Sequence, residues 1–168
     1  MTLDEGLFLA RLVFGGVMFA HGAQKLFGWF GGYGLNGTGG FFESIGFRPG
    51  RLFAALAGLG EAGSGLLIAS GFLGPIGPAL MLLVMIVASS LHWSHGLFAQ
   101  NNGIEVPLLY GAAAVTLALT GPGAYSLDAL LGLAPLWTPA VIWTALAFGI
   151  VVGFANLALR RPSPVSAQ

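Results

Sequence analysis

Long apolar runs alternate with connections rich in glycine, proline and aromatic residues. Leu7 to Phe27, Leu52 to Phe72 and about Pro75 to Phe98 each supply about 20 mostly apolar residues, enough for a helix that crosses a bilayer. Two further runs, about Ile104 to Thr120 and Pro139 to Leu159, predict a fourth and a fifth span. The segment 28–51 is too interrupted to span, but Thr38 to Ile45 can form a short amphipathic helix at the interface, with Trp29, Tyr33 and Phe41 or Phe42 at headgroup level. Gly71 to Pro78 and Gln100 to Gly103 are turns, and Gly121 to Asp128 is a polar turn before a short leucine-rich segment. After Arg160 and Arg161, residues 162–168 form a Pro/Ser tail expected to be disordered.

The few polar positions inside these runs fall on restricted faces. Glu61 lies near the middle of the second span, where a carboxylate costs roughly 2.5 to 3.5 kcal/mol on insertion scales. Ala57, Gly58, Ser64 and Gly65 lie within about 60° of it, a small-residue face that admits a neighbouring helix. On the first span Arg11, Met18, Gly22 and Lys25 share a line to within about 40°, with His21 about 80° away; Arg11 and Lys25 sit near opposite ends, where long side chains can snorkel. His92 and His95 share a face of the third span with Ala88, Ser89 and Gly96. At about 1.5 Å per residue, His21, Glu61 and His92 lie roughly 9 to 13 Å from one end of the bundle. One polar seam is therefore expected, with these three in its inner half and Arg11 with Asp128 in its outer half.

Composition sharpens this picture: 56% of residues are hydrophobic, 7% are charged and the mean hydropathy is +0.86, so the chain is an integral membrane protein. A formal net charge of zero gives no electrostatic basis for nucleic-acid binding. Cysteine is absent, which removes disulfides, thiolate metal sites, iron–sulfur ligation and a cysteine nucleophile. The acidic start, with Asp4 and Glu5, reads as an uncleaved N-terminus. Lys25, Arg48 and Arg51 flank the first connection and Arg160 and Arg161 follow the fifth span, so one side carries the cations. That side is assigned to the cytoplasm, with the N-terminus outside.

Three chemistries compete for the seam. Buried charges can pair simply to fix helix register. Alternatively the seam is a pocket for a quinone or similar small molecule, in which Glu61, His21 and His92 exchange protons and Arg11, Gln24, Lys25, His95 and Asp128 contact the ligand, although Gln24 and Lys25 also suit a plain span boundary. A metal held by His21, Glu61, His92 and His95 is the third reading, with only the i, i+3 histidine pair to support it. Trp29, Phe30, Trp93 and Trp137 lie near span ends and suit interfacial anchoring. Ala145, Gly149 and Gly153 form a small-residue ridge on the fifth span, able to pack on another helix of the chain, a protein partner or a second copy.

An ordered set of short motifs resembles the DoxX family of small membrane proteins. It comprises Arg11; His21-Gly-Ala-Gln-Lys25-Leu-Phe-Gly28; Gly40-Phe-Phe with Ile45-Gly46; Glu61-Ala-Gly-Ser-Gly65-Leu-Leu; His92; Asn102-Gly-Ile-Glu105; and Gly121-Pro-Gly-Ala-Tyr-Ser-Leu-Asp128. Ala124 departs from the pattern, because such proteins often carry a basic residue there. The resemblance implies an all-α, polytopic membrane bundle: a four-helix core over 1–128 with an interfacial segment at 28–51, extended by an additional transmembrane helix in 129–161. It also implies a redox setting, since the family takes its name from a subunit of an archaeal terminal quinol oxidase. Relatives are linked to thiosulfate:quinone oxidoreductase and to redox-stress proteins. The functional expectation is a quinone-linked membrane subunit, against the alternative of a non-catalytic accessory or assembly subunit of a larger membrane complex.

Overall fold

The computed structural model describes residues 3–161. Among these, seven α-helices follow one another: α1 (Leu3–Phe27), α2 (Gly34–Ser44), α3 (Gly50–Ser70), α4 (Ile76–His92), α5 (Glu105–Thr120), α6 (Leu127–Leu130) and α7 (Pro139–Ala158), and there is no strand among the described residues. Helices α1, α3, α7, and α4 with the 3-10 turn that prolongs it to His95, are long and apolar enough to cross a membrane. Helix α5 is apolar but shorter, spanning about 24 Å at 1.5 Å per residue. The protein is thus a multi-pass helical membrane protein. The residues 162–168, expected to be disordered, lie outside the described part.

Small residues decide which helices meet. α1 and α3 run antiparallel in close contact, because Gly15 faces Gly65 and Ala69 while Gly22 faces Gly58 and Ala62. A Cβ added at Gly22 would lie 2.4 Å from the amide nitrogen of Ala62, so the backbones themselves touch. This is the neighbour that the glycine face around Glu61 anticipated. α4 packs between α3, α5 and α7. Leu7, Met18, Ile68, Met81, Val84, Met85, Ala114 and Leu117 fill the core between these helices. A second apolar cluster, Phe42, Phe47 and Ala54 with Val87 and Leu157 against it, seats α2 and the following loop on one end of α3, α4 and α7.

The ridge on α7 requires a correction. Gly149 and Gly153 are buried within the chain: a Cβ at Gly149 would fall 2.6 Å from the carbonyl oxygen of Ala79, and one at Gly153 would fall 3.2 Å from the Ile86 side chain. Gly149 and Gly153 therefore do not supply a free face for a partner or a second copy, and Ala145, a turn before them, is half-buried. α7 uses its glycines to run alongside α4, and Phe148, Val151 and Phe154 point outward instead.

Hydrogen bonds tie the two ends as the basic residues foretold. At one end the amide of Arg161 donates to the carbonyl of Gly46 (2.9 Å), joining the end of α7 to the α2–α3 loop. At the opposite end the amide of Ala124 donates to Asp4 Oδ1 (2.8 Å), joining the start of α1 to the turn after α5.

Candidate functional site

At the basic end α1, α3, α4 and α5 enclose a cleft of about 310 Å3, lined among others by His21, Lys25, Glu61, His92 and Tyr110. Its volume falls at the lower end of the range of about 300–1,000 Å3 common for small-molecule sites. Glu61 reaches it from the middle of α3, one turn before Ser64, whose hydroxyl donates to the Glu61 carbonyl (3.0 Å). Lys25, near the end of α1, does not snorkel toward the interface. Its stem bends inward, and Nζ donates to both Glu61 oxygens at 2.5 Å. The Lys25 side chain keeps 27% of its surface exposed and Glu61 only 7%, so the pair has a buried anionic half and an accessible cationic half. Charge-assisted bonds of this kind are about twice as strong as neutral ones, and they offset the cost of placing the acid there.

His92 closes α4, and its Nδ1 lies 2.7 Å from the carbonyl oxygen of Asn102. A carbonyl only accepts, so Nδ1 carries the proton and the neutral ring has its acceptor at Nε2. Asn102 is aimed by a left-handed backbone (φ 58°), which asparagine tolerates better than most residues. The loop behind it is pinned by Glu105, whose Oε2 accepts from the amide of Ala99 (2.8 Å) and whose own amide donates to Leu97 (2.8 Å). His21 stands one turn from Lys25 on α1, and it and Val106 of α5 are exposed residues of the cleft lining. Met18 and Met85 form its apolar floor, and the Tyr110 ring meets Phe14 edge-on at 5.5 Å between α5 and α1.

The inner half of the expected seam is thus assembled, but the remaining candidates stand elsewhere. Gln24 is turned away: Nε2 donates to the Phe30 carbonyl (3.2 Å), and the side chain lines a neighbouring cleft of about 560 Å3 with Tyr33, Thr38 and Phe41. Lys25 borders both clefts. His95 is exposed in the turn after α4, with Nδ1 3.5 Å from Ser94 Oγ, and does not line the cleft. Among the described residues no three His, Asp or Glu groups gather closely enough to hold a metal ion.

Arg11 and Asp128 form a separate cluster at the other end. Asp128 is fully buried and accepts from the amides of Leu73 (2.9 Å) and Gly74 (2.7 Å) and from Trp137 Nε1 (2.7 Å). These bonds hold the α3–α4 turn with Leu73 at φ 60° and Gly71 at φ 64°, a left-handed path that leucine rarely adopts. Arg11, 2% exposed, donates through Nη2 to the Tyr125 carbonyl, and Asp128 supplies its opposing charge. Arg11 does not meet Glu61, since along α1 Met18 lies between Arg11 and Lys25 and along α3 Ile68 lies between Glu61 and Gly71, both in the apolar core. The single seam is therefore two clusters, and Asp128 holds turns together within the chain.

Sequence reasoning missed Lys25 as the partner of Glu61, it missed Tyr110 altogether, and it gave Asn102 no place in the site. The four-residue spacing of His21 and Lys25 was a usable signal for the first. Asn102-Gly103 was visible as a turn, but its carbonyl's role was not.

A compact set of apolar spans around a carboxylate buried in an ion pair, with a polar cleft at the basic end, defines a small multi-pass membrane protein. The sequence model of the DoxX family matches residues 6–94, just over half of the 168, and the chain belongs to that family. The matched stretch contains Arg11, His21, Lys25, Glu61 and His92, whereas Asn102, Tyr110 and the turn ending at Asp128 lie beyond it. Among curated proteins and among solved structures nothing matches.

Proposed function

We propose that the chain is a redox-associated subunit of the cytoplasmic membrane, linked to quinone chemistry, with the inner cleft binding the headgroup of a quinone or a similar small molecule. One observation carries this reading: Lys25, Glu61, His21 and His92 line a single cleft near the end of the bundle. A quinone ring presents oxygens that accept hydrogen bonds and, once reduced, hydroxyls that donate them. Lys25 has one ammonium proton to share beyond its two bonds to Glu61, His92 offers Nε2 as acceptor, and the exposed His21 supplies another imidazole. Membership in DoxX, a family often associated with quinone-linked oxidoreductases, supports the same setting. Electrons would be exchanged with a partner protein, and this chain's residues would bind the headgroup and pass its protons.

The test is quinone binding to the full chain in lipid nanodiscs, comparing the wild-type protein with His92→Leu. Loss of one hydrogen bond to the ligand, worth about 1 kcal/mol, should weaken binding roughly fivefold or more. Equal affinity in the two proteins would remove His92 from the site, and no binding by either would remove the quinone.

A second reading, an accessory subunit whose charges are structural, is favoured by Asp128, whose carboxylate bonds all run within the chain. It predicts that His92→Leu leaves both the activity of the parent complex and co-purification with it unchanged.

A further inference from the structure

Four of the six basic residues, Arg48, Arg51, Arg160 and Arg161, are exposed at the end of the bundle where α7 meets the α2–α3 loop. Segments more than 100 residues apart bring them together. Arg160 Nε donates to the carbonyl of Ile45 (2.6 Å), and the amide of Arg161 donates to that of Gly46 (2.9 Å). The approach is so close that a Cβ on Gly46 would meet the Arg161 carbonyl at 2.0 Å. Arg48 is two residues past Gly46, within about 7 Å along the backbone, and Arg51 follows in the first turn of α3.

Among the described residues these charges are only partly balanced. Among the described residues none of the four guanidiniums takes part in an ion pair. Glu61 is occupied by Lys25, and Glu43, whose Oε1 accepts from the amide of Gly50, is one anion beside four cations, so the rim stays net positive. A net positive rim of this kind attracts counter-charge from outside. The rim also lies at the ends of two spans, and the same end exposes Trp29, Phe30 and Phe41, residues that favour headgroup level. Just below it, the outward faces of Val151 and Phe154 on α7 are apolar and exposed, suited to acyl chains.

We infer that the clasp between the end of α7 and the α2–α3 loop builds a binding rim for the phosphate headgroup of an anionic glycerophospholipid. The lipid is favoured over a soluble phosphate because the cations adjoin apolar helix faces at membrane level. An anionic headgroup gains about fivefold in affinity per arginine near the surface.

The test is lipid retention by the full chain, purified from nanodiscs containing equal phosphatidylglycerol and phosphatidylcholine and read by native mass spectrometry. The diagnostic variant is Arg48→Gln with Arg161→Gln. Arg161 joins the clasp through its main chain and Arg48 has no side-chain bond, so both charges go while the clasp stays. The wild-type chain should retain phosphatidylglycerol preferentially, and the double variant should lose about thirtyfold of that preference. Arg48→Lys with Arg161→Lys should keep most of it, which separates loss of charge from loss of fold. Equal retention of the two lipids by the wild-type chain, an unchanged preference in the glutamine variant, or complete displacement by millimolar inorganic phosphate would each overturn the inference.

Discussion

At the scale of residues, the pairing of Lys25 with Glu61 has a definite energetic signature. Lys25→Met leaves the Glu61 carboxylate, on a side chain only 7% exposed, without its counter-ion, and breaking a buried pair from one side costs about 3–5 kcal/mol. Replacing both partners with apolar residues of similar volume is often neutral or stabilising, so Lys25→Met with Glu61→Met should recover most of that loss. Thermal unfolding midpoints in one detergent measure the contrast; a double variant as unstable as the single one would show that the pair is not what Lys25 contributes. Recovery of stability without recovery of quinone binding would assign the pair to function, because the fold would then do as well without it. Glu61 itself was legible in the sequence, since an acid amid apolar residues demands a partner. The partner was not, because Lys25 near the end of a span has the same appearance whether its stem bends outward to headgroups or inward to an acid. Only the approach of α1 to α3 at Gly22 and Gly58 brings Glu61 within its reach.

At the scale of elements, hydropathy located the apolar helices to within a few residues, although α5, expected as a span, is shorter than the four helices long enough to cross, and it could not say which small-residue faces met. Glycine ridges on α1, α3 and α7 look alike in sequence, and contact is decided by what stands opposite. The α7 ridge meets the main chain of α4 at Ala79, and this fixes the consequence of enlarging it. Gly149→Leu places a side chain against a backbone carbonyl 2.6 Å away that cannot rotate aside, so α7 must separate from α4. A loss of at least 1–3 kcal/mol, the usual range for overpacking, is expected. Gly153→Ala meets only the Ile86 side chain, at 3.2 Å, which can shift. It should cost well under half as much. Unfolding midpoints and protease sensitivity of the α6–α7 connection should rank the two variants in that order. The reverse order would mean that α7 docks on another surface. Similarly, Asp128 was visible as a polar residue near a turn, but its use as a staple depends on α6 folding back over the α3–α4 turn. That return is a tertiary event with no local signature.

For the molecule as a whole, the two ends are chemically different, and the difference carries a prediction about orientation. One end gathers Lys25, Arg48, Arg51, Arg160 and Arg161, while Arg11, the remaining cation, is buried against Asp128's cluster at the other. The sequence pattern anticipated this split, because the four spans expected between the first connection and Arg160 are an even number of crossings and return the chain to the same side. The bonds of Arg161 to Gly46 and of Ala124 to Asp4 show that each set of loops does share an end. Since basic loops are retained in the cytoplasm, the inner cleft and the arginine rim should face that compartment and the Gly121 to Asp128 turn should face outward. The absence of cysteine makes this measurable with one thiol at a time. Gly40 is exposed, and a Cβ there would meet nothing within 4 Å. Ala124 is exposed at the opposite end. A membrane-impermeant maleimide applied to intact cells should label Ala124→Cys and spare Gly40→Cys, and permeabilised cells should show both labelled. Labelling of Gly40→Cys alone in intact cells would invert the molecule. The cleft would then face the outer side, and the protons it exchanges with a bound quinone would be taken up and released there.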